Sequence, residues 1–262
     1  MWKRFIQDSK KYMKYAIYEG KAELKSEVAT SHLSWLWWIL DPLLFMLVYT
    51  FVSLVVFGKS EQYFSAFIFI GYTSYKFFEK SLKLSVRLVK SHKAVVKNVY
   101  IPKHILLLSM LFRTGFETAI SYLLVFGTMV IYRVPITWHM ILFLPLLLLL
   151  VLFTFGCSTI LLHFGVFVED LSNVIQVGLR LLFYLSGVFY SLDKRIKVKW
   201  QRTLLLKCNP MAFIIDQMRK ALLYGGNFAY KEYFLWLAIS LVLAAIGIRL
   251  IYKNENGYVK VI

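Results

Sequence analysis

KSLKLSVRLVKSHKAVVKNVYIPK, residues Lys80 to Lys103, lies between two long apolar runs and carries seven cations, Lys80, Lys83, Arg87, Lys90, Lys93, Lys97 and Lys103, with no acidic residue. Short loops with this bias stay on the cytoplasmic side of a membrane, so the stretch orients the runs on either side of it. The rest of the chain agrees with a lipid environment: 59% of its 262 residues are hydrophobic and 18% aromatic, with a mean hydropathy of +0.63. That exceeds what the surface of an ordinary globular domain tolerates. The fold class expected is an all-α polytopic membrane protein in the inner or plasma membrane.

The net charge of +17 raises nucleic acid as a partner. Its cations sit between apolar runs, however, where membrane topology and anionic membrane lipids account for them, and no nucleic-acid binding is expected. Cys157 and Cys208 have neither metal-ligand spacing nor the pattern of a disulfide framework. The first 34 residues hold no signal-type apolar core, so no cleaved leader is expected.

Outward from the basic stretch, six spans are predicted: Trp35–Phe57, about Tyr63–Phe78, Ile105–Tyr132, Trp138–Phe167, Val174–Tyr190 and Tyr233–Ile251. The second is open to continuing as helix into the basic stretch. Asp41-Pro42 predicts a bend one turn into the first span. Residues 1–34 repeat apolar positions at helical spacing between lysines, which reads as an amphipathic helix on the inner leaflet, with a solvated basic tail as the alternative. Residues 253–262 form a polar tail, and both termini are placed in the cytoplasm. Between spans five and six, residues 191–231 carry nine cations that this orientation places outside: Lys194, Arg195, Lys197, Lys199, Arg202, Lys207, Arg219, Lys220 and Lys231. Within that segment PMAFIIDQMRKALLYG is apolar but too short to cross, so it is either a surface helix or a re-entrant hairpin.

Several motifs carry no chemistry. Gly58-Lys59-Ser60 lacks the earlier glycine of a phosphate loop and sits between two spans. His32, His92, His104, His139 and His163 have no metal-binding spacing; His163 reads as an interhelical hydrogen-bond partner rather than a catalytic base. Arg113 and Glu117, one turn apart in span three, are placed near mid-membrane as either a structural pair or part of a substrate path. Arg180 in span five requires a partner from another helix or an anionic ligand. Aromatic side chains Tyr72, Tyr75, Phe116, Tyr122, Phe183 and Tyr184 are candidates for lining a path, with helix packing as the alternative.

Read in order, these segments resemble the permease subunit of ABC-2 type exporters, most closely those for teichoic acids, O-antigens and other lipid-linked polysaccharides. The resemblance rests on Trp35–Phe57, VVKNVYIPKHILLLSMLF from Val95, Phe167-Val168-Glu169-Asp170, LRLLFYLSGVFY from Leu179, CNPMAFIIDQMRKALLYG from Cys208, and the tail ENGYVKVI. Glu169 stands where the family has Arg, and Ser186-Gly187 where it has Ser-Pro. The resemblance implies two copies of this chain, as a homodimer, paired with two ATPase subunits. ATP and Mg belong to that partner; this chain has no cofactor and no catalytic residue. It also implies a coupling helix in residues 80–103 and short re-entrant helices after span five. Coupling residues expected are Arg87, Leu88, Lys90, Val95, Val96 and Lys97, within an Arg87–Asn98 helix of about three turns, together with Glu169 and Asp170. Lys21, Lys25 and Arg219 are expected at a lipid headgroup or diphosphate. The cargo expected is a polysaccharide on a polyprenyl diphosphate; a drug or simple lipid is the alternative cargo, and a membrane-embedded sugar-lipid transferase the alternative class.

Overall fold

A computed structural model describes residues 2–30, 33–55, 62–195 and 198–261, and every regular element among them is helical. In chain order these are α1 (Trp2–Thr30), α2 (Ser34–Val55), α3 (Phe64–Ser91), α4 (Lys93–Asn98), α5 (Lys103–Ile131), α6 (Phe143–Phe167), α7 (Leu171–Leu185), α8 (Leu192–Arg195), α9 (Lys199–Cys208), α10 (Pro210–Arg219) and α11 (Tyr230–Val261). A 3₁₀ turn, Trp138–Leu142, leads into α6, and a π turn, Lys220–Tyr224, follows α10. The Gly58-Lys59-Ser60 connector, His32 and Lys197 lie outside the described residues.

Among the described residues, four helical stretches are long and apolar enough to cross a membrane: Ser34–Val52, Lys103–Ile131, Trp138–Phe167 and Tyr230–Tyr258. The other two predicted spans look different. α3 has 28 residues, but Lys76, Glu79, Lys80, Lys83, Arg87 and Lys90 crowd its second half, so length without apolarity defines it. α7 is apolar but has 15 residues, about 22 Å of helix against roughly 30 Å of hydrocarbon. It stops at Ser186-Gly187, short of the expected Tyr190, because Gly187 adopts φ 66° and turns the chain. The tail is no separate unit: α11 runs unbroken through residues 253–261.

α3 is the central element and touches α2, α5, α6, α7 and α10. Its first half is buried nearly all round, with Ala66, Ile68, Phe69 and Ile70 at 0% exposure, as an apolar helix enclosed by others must be. α6 and α11 form the most extensive helix pair. Gly247 lets them approach, since a Cβ there would collide with the Thr159 side chain. α1 packs along the first part of α5, from Phe5 against His104 to Glu27 bonded to Arg113.

The segment after α7 is organised by Asn209 and Arg219. Asn209 caps α10, its side-chain oxygen accepting from the Met211 and Ala212 amides at 3.0 and 3.2 Å. Pro210 takes the first helical position, where a missing N–H costs nothing. The Asn209 amide also donates to Ser186 Oγ at 3.1 Å, tying the start of α10 to the end of α7. At the other end of α10, Arg219 is 4% exposed. It donates to the carbonyls of Phe67 (3.0 Å), Gly187 (2.8 Å) and Val188 (2.6 Å), and its guanidinium carbon lies 3.5 Å from the centre of the Phe67 ring. Gly71 makes room for it, because a Cβ there would collide with the guanidinium.

Arg219, expected at a lipid headgroup or diphosphate, thus directs three of its donors to the chain's own backbone. Part of the basic cluster after α7 is paired as well: Lys220 pairs with Asp216 (2.6 Å) and Asp193 (3.4 Å), and Lys207 with Glu232 (3.4 Å). Removing the clamp leaves buried carbonyls without donors, so Arg219→Ala should cost at least about 2 kcal/mol. The measurement is the thermal midpoint of the purified protein by fluorescence-detected size exclusion, and Gly71→Leu should lower it too while Lys21→Ala leaves it in place.

Candidate functional site

The basic stretch folds as the end of α3, a break at His92 and the short α4. His92 has φ −99° and ψ 25°, and its amide still bonds to the Leu88 carbonyl, so α3 closes there and α4 sets off anew. The expected three-turn Arg87–Asn98 helix is therefore two pieces. Leu88, Val89 and Val96 are 5%, 1% and 3% exposed and belong to the chain's own core, with Val95 packed against it. Leu88 and Val96, expected as contacts for an outside protein, therefore present little surface at this end, while Val95 is half-buried. The exposed face consists of Arg87, Lys93, Lys97, Val99 and Tyr100, with Lys90 half-buried. A cleft of about 350 Å³ joins Arg87, Lys90 and Glu169 across the α3 and α6 ends. Glu169 and Asp170 are both exposed at the turn into α7.

This end of the molecule also collects both ends of the chain. Arg4 reaches Glu255 at 2.8 Å and bonds to Tyr100. Tyr252 donates to Asp8 at 2.8 Å, and His163 pairs with Tyr258 at 2.7 Å. α1 turns Glu19, Glu23 and Glu27 inward at one-turn intervals and leaves Lys21 and Lys25 exposed. Glu23 accepts from Arg113 at 3.3 Å, Glu27 bonds to the same guanidinium, and Glu117 lies 3.6 Å from its Nε. Arg113 is thus neutralised from α1, a partner outside the spans that the i, i+4 spacing with Glu117 did not reveal. Glu117 in turn bonds to Lys80.

Deeper in the bundle the aromatic candidates separate into two groups. Tyr75 and Tyr122 are buried at 0% and 4% exposure. The Tyr75 hydroxyl donates to the Leu179 carbonyl, and that of Tyr122 pairs with Ser74 at 2.8 Å; both serve packing. Tyr72 and Phe183 join a cluster that composition did not single out. Phe45 stacks on Tyr72 at 3.7 Å and Tyr49 on Phe189 at 3.9 Å, with Phe183 edge-on to Phe189 at 5.0 Å. This links α2 and α3 to α7 and its following turn. Beside it α2 exposes Leu44, Leu47, Val48 and Phe51, and α7 exposes Val177, Arg180, Leu181 and Tyr184. Phe116 stands apart, 46% exposed and edge-on to Trp38 at 6.0 Å. Sequence reasoning took Asp41 only as part of a bend and missed that Asp41 and Lys76 bond to each other between α2 and α3; each is a charge inside an apolar run, the signal by which they are recognisable.

Residues 20–223 match the ABC-2 type transporter family. The chain belongs to this family. It is a transporter membrane component and not an enzyme. It is 28% identical over 243 residues to the O-antigen export system permease protein RfbA of Myxococcus xanthus, with 92% of both chains covered. A protein of the same name from Klebsiella pneumoniae is 24% identical over 242 residues, again with 92% of each covered.

Two predictions come from the loop end. His92 lies 3.3 Å from Glu23 and 4.0 Å from Glu19. The hydrogen bond to Glu23 raises the His92 pKa above its ordinary value, and the same bond lowers that of Glu23. The raised histidine stabilises the α1 contact below its unfolded pKa of about 6.5 and loses that contribution as pH rises through its folded value. Hydrogen exchange of α1, corrected for intrinsic rates, should therefore speed up as pH climbs above about 6.5, and His92→Gln should abolish that dependence. Separately, the exposed cations Arg87 and Lys97 can be reversed without touching the core. Arg87→Glu with Lys97→Glu should preserve the thermal midpoint yet reduce co-purification of the cognate ATPase, with Lys231→Glu as the unaffected control.

Proposed function

We propose that this chain is the membrane subunit of an ATP-driven exporter that carries a polysaccharide of the O-antigen or teichoic acid kind, linked to a polyprenyl diphosphate, across the inner or plasma membrane. The observation that carries the reading is the end-to-end similarity, over 92% of both chains, to O-antigen export permeases. Two copies of the chain form the path, and two ATPase subunits supply hydrolysis with their own ATP and Mg. The basic loop gives the orientation: the end that gathers α1, α4 and the α11 tail faces the cytoplasm. α2, α3, α5, α6, α7 and α11 are the six spans, with α3 and α7 completing the set inside the assembly rather than in lipid alone. α1 lies along the inner leaflet with Lys21 and Lys25 toward headgroups, and α10 enters from the outer side, its backbone satisfied within protein.

The exposed apolar faces of α2 and α7 flank the aromatic cluster, and a second copy against them encloses a passage bordered by Tyr72, Phe183 and Tyr184. Sugar rings pass along aromatic faces by stacking without being held by directional bonds. Arg180, exposed on the same helix and without an ion-pair partner among the described residues, supplies a cation to the diphosphate as it passes. The ATPase meets the exposed cations of the α3 and α4 ends and Glu169-Asp170, and the packed core behind them carries the motion inward.

In cells of the source organism lacking the chain, surface polysaccharide should disappear and the polyprenyl-linked glycan accumulate inside. Wild-type chain should restore export. Arg180→Ala should assemble with the ATPase at normal yield but restore less than about a tenth of it, the order expected for losing a charge-assisted contact. Normal surface glycan together with lost efflux of a drug or simple lipid would replace this cargo assignment.

A further inference from the structure

Between α2, α3 and α5 lies a polar cavity of about 260 Å³, walled by Asp41, Lys76, Lys80, Glu117, Thr73 and Trp38 among others. An apolar groove of about 340 Å³ runs between α3, α5 and α6 along Gly115, Leu123, Phe126, Leu147 and Val151. Phe77 and Thr118 belong to the walls of both, so the two spaces adjoin. Three observations within them point to a ligand.

The first is unspent hydrogen-bonding capacity. Thr73 is 2% exposed and its hydroxyl has no partner. Glu117 places one carboxylate oxygen on Lys80, while its Oε1 lies buried 3.6 Å from Arg113 Nε, and neither of these two atoms has a hydrogen bond among the described residues. Buried polar atoms in a native structure normally find partners, so the cavity calls for both an acceptor for Thr73 and a donor for Glu117. The second is charge. Lys76 and Lys80 face Asp41 and Glu117, so the four charges cancel; a purely anionic group meets as much repulsion as attraction, whereas a group carrying both signs is complementary. The third is shape. From Glu117 to Phe126 α5 rises about 14 Å, close to half of a hydrocarbon core of roughly 30 Å. A polar head at one end and an apolar groove one leaflet long describe a lipid. Water alone satisfies the polar atoms but leaves the adjoining groove without an occupant.

We propose that this is a binding site for a zwitterionic aminophospholipid. Its phosphate is held by Lys76, Lys80 and the Thr73 hydroxyl, its primary ammonium donates to Glu117 Oε1, and one acyl chain lies in the groove at Gly115. Assigning it to the inner leaflet rests on the orientation proposed above; binding itself does not.

The test uses the full-length protein in detergent and native mass spectrometry with equimolar dioleoyl phosphatidylethanolamine, phosphatidylcholine, phosphatidylglycerol and a polyprenyl monophosphate. Phosphatidylethanolamine should be retained roughly tenfold over phosphatidylcholine, whose quaternary ammonium has no N–H for Glu117. A Cβ at Gly115 meets no atom within 4 Å. Gly115→Leu therefore fills the groove without a clash and should remove the adduct at an unchanged thermal midpoint. Thr73→Val, which keeps the shape, should weaken retention roughly three- to tenfold. Equal retention of phosphatidylethanolamine and phosphatidylcholine would overturn the proposal. So would tighter retention of either anionic lipid, or a phosphatidylethanolamine adduct that survives in Gly115→Leu.

Discussion

One guanidinium holds the two ends of the central packing together. Arg219 sits where α10 meets α3 and the end of α7, and its donors go to the carbonyls of Phe67, Gly187 and Val188. A helix that stops at a glycine leaves carbonyls unpaired, and in a water-poor setting those groups need donors from the protein. Arg219 supplies them in a fixed planar fork, which a lysine does not match. The neighbouring residues follow from that requirement: Gly71 is small to admit the fork, Phe67 offers its ring face, and Asn209 pins the other end of α10 to Ser186. The apolar faces of α10 can then be buried completely.

A second electrostatic arrangement operates at the loop end. α1 has its lysines on the outward face and Glu19, Glu23 and Glu27 on the inward one, against His92 and Arg113. The helix is amphipathic in charge sign as well as in hydropathy. In the proposed exporter anionic headgroups favour the outward cations, while the inward carboxylates neutralise cations that otherwise face apolar surroundings alone. Because His92 is also the break between α3 and α4, α1 bears directly on the element that meets the ATPase in the proposed exporter. Arg4, Tyr100 and Glu255 close the same end by joining the start of α1, the loop before α5 and the tail of α11.

The aromatic cluster and the polar cavity show how one bundle separates two kinds of surface. Phe45, Tyr49, Tyr72, Phe183 and Phe189 gather on the side where α2 and α7 leave apolar faces uncovered. Asp41, Lys76, Lys80 and Glu117 gather between α2, α3 and α5, with Glu117 the most enclosed of the four. Charges at membrane depth are costly unless paired, and these are paired across helices rather than along one. In the proposed transporter the first surface is the passage and the second anchors the helices that border it.

Much was legible in the linear chain. Helical class, membrane setting, most helix positions and the ABC-2 resemblance all follow from hydropathy, charge bias and ordered local motifs, which depend on near neighbours. The Asn209-Pro210 cap and the Gly187 turn are local in the same sense. What only the tertiary structure decided depends on residues far apart in sequence. Arg219 reads as a free outer cation until the carbonyls some 30 and 150 positions away are brought to it. Arg113 reads as half of an i, i+4 pair until Glu23 and Glu27 arrive from α1. Leu88 and Val96 read as a docking face because periodicity shows that a helix has an apolar side but not what covers it. Hydropathy reports the free energy of a side chain leaving water; it does not say which partner receives it, and in this bundle the choice of partner separates clamp from ligand site and core from interface.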